Sequence, residues 1–217
     1  MVGKFVFKTL GNLLIALGVG IATFTYVPII YSEVKYSFSN KQNVVPVKNE
    51  QNSGSNGRIA GAGPDFENIT LLEPVDPNFS VIITKIDVNA PVVEDVTTIN
   101  ESEYLSALKR GVAHAQGTAL PGQKGNMFLF AHSSLNFWQL GPYATVFNLL
   151  NKLEEGDLVT IFYKNRAYTY SVYEAEVISG WNTEPFYEEY DEATITLVTC
   201  DPPGSTLNRR IVKARLI

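Results

Sequence analysis

The stretch from Thr194 to Val212 constrains this chain more tightly than any other. A β-branched run, Thr194-Ile195-Thr196-Leu197-Val198-Thr199, ends at Cys200, and Arg209 opens a second apolar run nine residues later. Between them, Asp201-Pro202-Pro203-Gly204 is turn chemistry, since proline presets φ and glycine reaches backbone conformations closed to other residues. The stretch predicts two neighbouring strands joined by a loop, with a thiol closing the first and a guanidinium opening the second. Directly opposed Cβ atoms of antiparallel strands stand ~5 Å apart. A free thiol has a pKa of ~8.5, and a fixed cation beside it favours the nucleophilic thiolate.

Most of the chain before this pair also reads as strands. Phe79-Ser80-Val81-Ile82-Ile83 begins the first, Ala90-Pro91-Val92-Val93 follows, and Asn126 to His132 is a buried apolar strand. Residues 156–163 and 167–173 alternate around Lys164-Asn165-Arg166 and predict a hairpin. Residues 103–108 and 144–150 predict short helices, and Arg110 to Ala115 reads as a loop. Many short strands with two or three helical insertions predict a mostly-β closed barrel.

Composition limits the chemistry. From Phe66 onward there are 11 Lys/Arg against 19 Asp/Glu, which excludes nucleic acid as a partner, because phosphate binding needs a basic face. One cysteine excludes an intramolecular disulfide and any multi-cysteine metal site, and two histidines, His114 and His132, argue against zinc. No cofactor is expected. The acidic stretch Glu184, Glu188, Glu189, Asp191 and Glu192 has calcium-ligand chemistry, but a solvated acidic face is the reading preferred.

The N-terminus has a different character. Between Lys8 and Glu33 lie 24 residues without a charge, and a bilayer core takes about 20 apolar residues in a helix. The apolar run continues through Pro28-Ile29-Ile30, longer than a cleaved signal peptide needs, so residues 9–32 read as an uncleaved, single-pass transmembrane anchor. Lysines flank both ends, so their count does not set the orientation. Residues 33–66 are rich in Ser, Asn, Gln and Gly and read as a flexible linker, leaving 67–217 as the functional domain.

Thr196-Leu197-Val198-Thr199-Cys200, with Arg209 a strand later and His132 ending an earlier strand, resembles the sortase family of bacterial cysteine transpeptidases. Ile83-Thr84-Lys85-Ile86, Asn89-Ala90-Pro91-Val92, Gly111-Val112-Ala113-His114 and Leu120-Pro121-Gly122 resemble it in the same order, so the likeness runs from about residue 80 to 217. The resemblance implies an eight-stranded barrel, a cytoplasmic N-terminus at residues 1–8 and a catalytic domain outside the membrane. It implies a sorting-signal peptide as substrate, cleaved through a thioester on Cys200 and passed to an amine acceptor. His132 would act as acid and base, and Arg209 would hold the oxyanion or the substrate backbone. The family usually places glycine before the histidine; here Ala131 stands there.

Each residue has a plainer alternative. Cys200 by itself reads as a buried structural thiol, and His132 as a satisfied core histidine with His114 as its rival. Arg209 and Arg210 point to opposite faces of a strand, so only one reaches Cys200; the Cys-X-Pro-X-Gly-X-X-X-X-Arg spacing resembles that of pilus-type sortases, and the resemblance selects Arg209. Thr199 and Ala131 are candidate substrate-binding residues, although β-propensity alone explains Thr199 and Thr196. Phe137, Trp138, Trp181 and Phe186 are candidates to line a groove, with packing as their alternative. Pro64-Asp65-Phe66 and Asp76-Pro77-Asn78-Phe79 echo the lid signature of some sortases and read as turns. Two other functions stay open: a hydrolytic cysteine peptidase and a non-catalytic, anchored β-domain.

Overall fold

The computed structural model describes residues 2–38, 73–133 and 141–217. Most of the linker, Pro64-Asp65-Phe66, Phe137 and Trp138 lie outside them. Helix α1 runs from Val2 to Phe38, through the expected anchor and past its end. Leu13, Leu14, Ile15, Leu17, Val19 and Ile21 are exposed along it. Among the described residues, no helix is long and apolar enough to cross a membrane.

Eight strands close into a barrel in the order β1-β2-β3-β4-β7-β8-β6-β5. They are β1 Phe79–Ile83, β2 Val88–Val96, β3 Val112–Ala115, β4 Gly125–Phe130, β5 Leu158–Tyr163, β6 Arg166–Ser179, β7 Ala193–Asp201 and β8 Asn208–Leu216. The pairs β2–β3 and β4–β7 are parallel, and the remaining pairs are antiparallel. Closure removes the unpaired edges that an open sheet would present. Val81, Ile83, Leu129, Ile161, Ile195, Leu197 and Val212 fill the barrel.

Local chemistry explains the connections. The β5–β6 hairpin turns at Lys164 and Asn165, with φ of 49° and 63°, the paired left-handed conformation that matches strand twist in a two-residue loop. Helix α2, Glu101–Leu108, starts where the Asn100 side chain accepts a hydrogen bond from the Glu103 amide, with Glu101 and Glu103 favourably placed at its positive end. Asp76-Pro77-Asn78 is a turn: the Asp76 carboxylate accepts from the Asn78 amide at 2.8 Å, and Phe79 goes straight into the core.

Two expectations are corrected. Residues 112–115 form β3 rather than a loop, and all four are buried. Residues 144–150 do not make an α-helix. Their bonds close three residues back, as from Val146 to Tyr143 and Asn148 to Thr145, and end in a 3₁₀ turn at Leu150–Lys152. β-Branched Thr145 and Val146, followed by Asn148, disfavour continuous helix.

Candidate functional site

Strand alternation explains why the three chemistry-bearing residues meet. On β7, Ile195 and Leu197 face the barrel interior, whereas Val198 belongs to an outer apolar cluster with Phe128 and Ile211. Cys200 shares the face of Val198, and Arg209 shares the face of Ile211. Cys200 and Arg209 are direct register partners. On β4, Phe128 and Phe130 occupy the outer face, and the parallel register pairs Phe130 with Val198. The Ala131 amide continues the ladder to the Val198 carbonyl at 3.1 Å, which brings His132 alongside Cys200. Phe128, Phe130, His132, Cys200 and Arg209 all line one cleft of about 590 Å³. The side-chain direction of His132, ambiguous in the sequence, is therefore toward this cleft.

The other cleft walls come from elements remote in sequence. Tyr104, Leu105 and Leu108 of α2 line one side. A one-turn helix, α3 Glu184–Tyr187, contributes Pro185, Phe186 and Tyr187 to the lining. Phe186 meets Phe128 edge to face at 5.1 Å. At the end of β6, Gly180 donates to the Leu207 carbonyl at 2.8 Å, and a Cβ there would run into the Thr206 and Leu207 carbonyls. Glycine thus lets the loop before Arg209 close onto the rim. Trp181 is 91% exposed and is not part of the lining.

The electrostatics separate the two arginines. Arg210 binds the Asp201 carboxylate through Nε at 3.1 Å and Nη2 at 2.9 Å, so its charge is matched. Arg209 donates only to the Thr206 and Asn208 carbonyls, at 3.3 and 3.1 Å, and has no carboxylate partner among the described residues. Its charge remains available to the cleft.

The two histidines separate as clearly. His114 is 2% exposed on β3; its Nδ1 accepts from the Asp95 amide, and its Nε2 faces Ala119 O and the Thr118 hydroxyl. It is a satisfied structural residue. His132 Nε2 is buried with no hydrogen-bond partner among the described residues. Burial holds the His132 imidazole below its ordinary range, because desolvation penalises the charged form. An NMR titration of His132 is expected to give a midpoint below 6.5, with the charged fraction lost as pH rises through it. A midpoint at or above that value would contradict the burial argument.

Thr199 and Ala131, the two candidate substrate-binding residues, both line this cleft. The Thr199 hydroxyl donates to the Ala131 carbonyl at 2.8 Å, which ties the His132 turn to the Cys200 strand. Around the acidic stretch, Glu188 pairs with Lys213 and Tyr190, and Asp191 pairs with Lys124.

The Sortase domain family model matches residues 81–217 of this chain. Among solved structures, sortase C-1 from Actinomyces oris is 26% identical over 66% of this chain and 75% of that one, with a TM-score of 0.54. The sortase D5 transpeptidase of Clostridium perfringens is 29% identical over 68% of this chain and 82% of that one, with a TM-score of 0.53. A sortase C of Clostridium perfringens, solved with the C-terminal cell wall sorting motif, shares the fold at 23% identity over 64% of this chain and 69% of that one, TM-score 0.53. No curated protein matches the chain.

Proposed function

The chain belongs to the sortase family of cysteine transpeptidases, and from that premise we propose that Cys200, His132 and Arg209 cleave a sorting-signal peptide of Leu-Pro-X-Thr-Gly type and transfer its acyl part to an amine. The observation that carries this reading is the convergence of all three side chains on one cleft, with Cys200 directly opposite Arg209. The sorting motif bound to the Clostridium perfringens sortase C supports the choice of substrate.

The steps follow from the groups present. His132 takes the thiol proton, and the Cys200 sulfur attacks the scissile carbonyl. The carbonyl π-electrons move to oxygen, where the permanently charged Arg209 guanidinium stabilises the oxyanion. Collapse breaks the C–N bond, His132 returns the proton to the leaving amine, and a thioester remains. An incoming amine gives its proton to His132 and attacks the thioester, and Cys200 leaves as thiolate. Water in place of the amine gives hydrolysis.

Comparison of the products with and without an added amine tests the assignment. An amine-capped peptide as the major product supports transpeptidation; the free acid alone, whatever the amine concentration, favours the hydrolytic cysteine peptidase.

The same proposal makes residues 9–32 a single-pass membrane anchor that holds the catalytic domain on the extracytoplasmic face, a reading that rests on the sequence there, since the described residues of α1 alone do not reach the length and apolarity of a membrane-crossing helix. The 24 uncharged residues between Lys8 and Glu33 and the exposed leucines and isoleucines of α1 support it. The full chain is then expected to sediment with membranes and resist carbonate extraction, whereas a chain lacking residues 1–38 stays in the supernatant. Release of the full chain by carbonate would overturn the anchor.

A further inference from the structure

α3 forms a wall of the cleft but has little to hold itself in place. It is one turn long, its second residue is a proline with no N–H to donate, and its local bonds run from the Glu184 amide to Asn182 Oδ1 at 2.9 Å and from the Phe186 amide to Thr183 O at 3.1 Å. The helix ends at Tyr187, so no amide within it can reach the Pro185 carbonyl. A side chain from another element supplies that donor. Asn126, at the start of β4 and 8% exposed, donates from Nδ2 to Pro185 O at 3.0 Å. Its Oδ1 accepts from the Thr196 hydroxyl at 2.7 Å. Thr196 is fully buried on β7, four residues before Cys200 on the same strand.

These bonds make a buried relay. It runs from the nucleophile's strand through Thr196 and Asn126 to Pro185, and so to Phe186 on the cleft wall. Asn126 suits it because a carboxamide offers a donor at one end and an acceptor at the other. Beyond α3 the segment is held separately, by Glu188 on Lys213.

We propose that Asn126 is a positioning residue for the acyl donor: through Pro185 it sets the separation between the Phe186 wall and the Cys200 strand. It touches neither the thiol nor the peptide and acts only through α3. The inference rests on this cleft being the acyl-donor site.

The test compares wild type, Asn126→Ala, Thr196→Val and Thr196→Ser in the full chain, with a sorting-signal peptide and an amine. Asn126→Ala is expected to raise KM for the peptide about tenfold, the scale of one buried hydrogen bond, with kcat held within about twofold. Thr196→Val raises KM in the same direction, and Thr196→Ser, which keeps the hydroxyl, restores it. The rate of Cys200 alkylation against pH stays unchanged in all of them. Ile83→Val, a core change remote from the relay, lowers the melting temperature without moving KM. An unchanged KM in Asn126→Ala, or a fall in kcat and alkylation with KM constant, overturns the inference while leaving the family reading intact. Failure of wild type to form any acyl-enzyme overturns both. If Asn126→Ala does not fold, amide hydrogen exchange decides on Thr196→Val. Faster exchange at residues 184–188 supports the relay, and unchanged exchange overturns it.

Discussion

Cys200→Ala is expected to lower kcat/KM for peptide transfer at least about 10⁴-fold, the scale on which loss of a nucleophile is felt. The fold should survive. Cys200 is only half-buried near the end of β7, and its backbone pairing with Arg209 does not involve the side chain. A small truncation at such a position costs about 1 kcal/mol or less. Cys200→Ser should be almost as inactive, because a hydroxyl is a far weaker nucleophile than a thiolate at neutral pH. Circular dichroism and steady-state kinetics on the same preparations check both halves of the prediction. A non-catalytic β-domain would instead show no transfer in wild type and no special reactivity at this thiol.

The second large effect separates two adjacent arginines. Arg209→Ala is expected to reduce kcat about 10²–10³-fold, the cost of removing one charge-stabilising donor from an acyl-transfer site. Arg209→Lys should recover part of this, since the charge remains but the planar fork of donors is lost. Arg210→Ala should leave kcat within a few-fold and act on stability instead. Its partner Asp201 loses two N–H donors at a partly buried position, which costs about 1 kcal/mol. Kinetics and melting curves should therefore move in opposite patterns for the two variants. If Arg210→Ala lost the activity and Arg209→Ala lost only stability, the assignment of faces on β8 would be wrong.

That Cys200 meets the start of the next strand was legible in the sequence because it depends on local regularities, while the choice of Arg209 over Arg210 came from the family resemblance. The run Thr194–Thr199, the Asp-Pro-Pro-Gly turn and the alternation of strand faces are written in consecutive residues, and they predict that Cys200 meets an arginine there. The hairpin at Lys164-Asn165 and the cap of α2 are local for the same reason. His132 was harder. Its strand is apolar on both faces, because Met127 and Leu129 fill the barrel while Phe128 and Phe130 line the cleft, so alternation alone gave no direction.

What the sequence did not show depends on contacts between distant segments. Residues 103–108 read as a short helix, and nothing local shows that Tyr104, Leu105 and Leu108 line the cleft. The Asn126–Pro185 and Thr196–Asn126 bonds join residues 59 and 70 positions apart. No periodicity records such pairings. Residues 112–115 read as a loop because four residues are too few for alternation to register, yet pairing with β2 and β4 makes them a buried strand. The Thr199–Ala131 bond on the cleft lining likewise comes from register, which the sequence does not state.

The most direct test of the central claim is intact-protein mass spectrometry of the wild-type chain mixed with a Leu-Pro-X-Thr-Gly peptide and quenched in acid before amine is added. The account predicts a mass increase equal to the acyl part of the peptide, mapped to Cys200, absent in Cys200→Ala, and discharged by an added amine into a capped product. An adduct mapped to another residue, or a capped product formed equally well by Cys200→Ala, would contradict it.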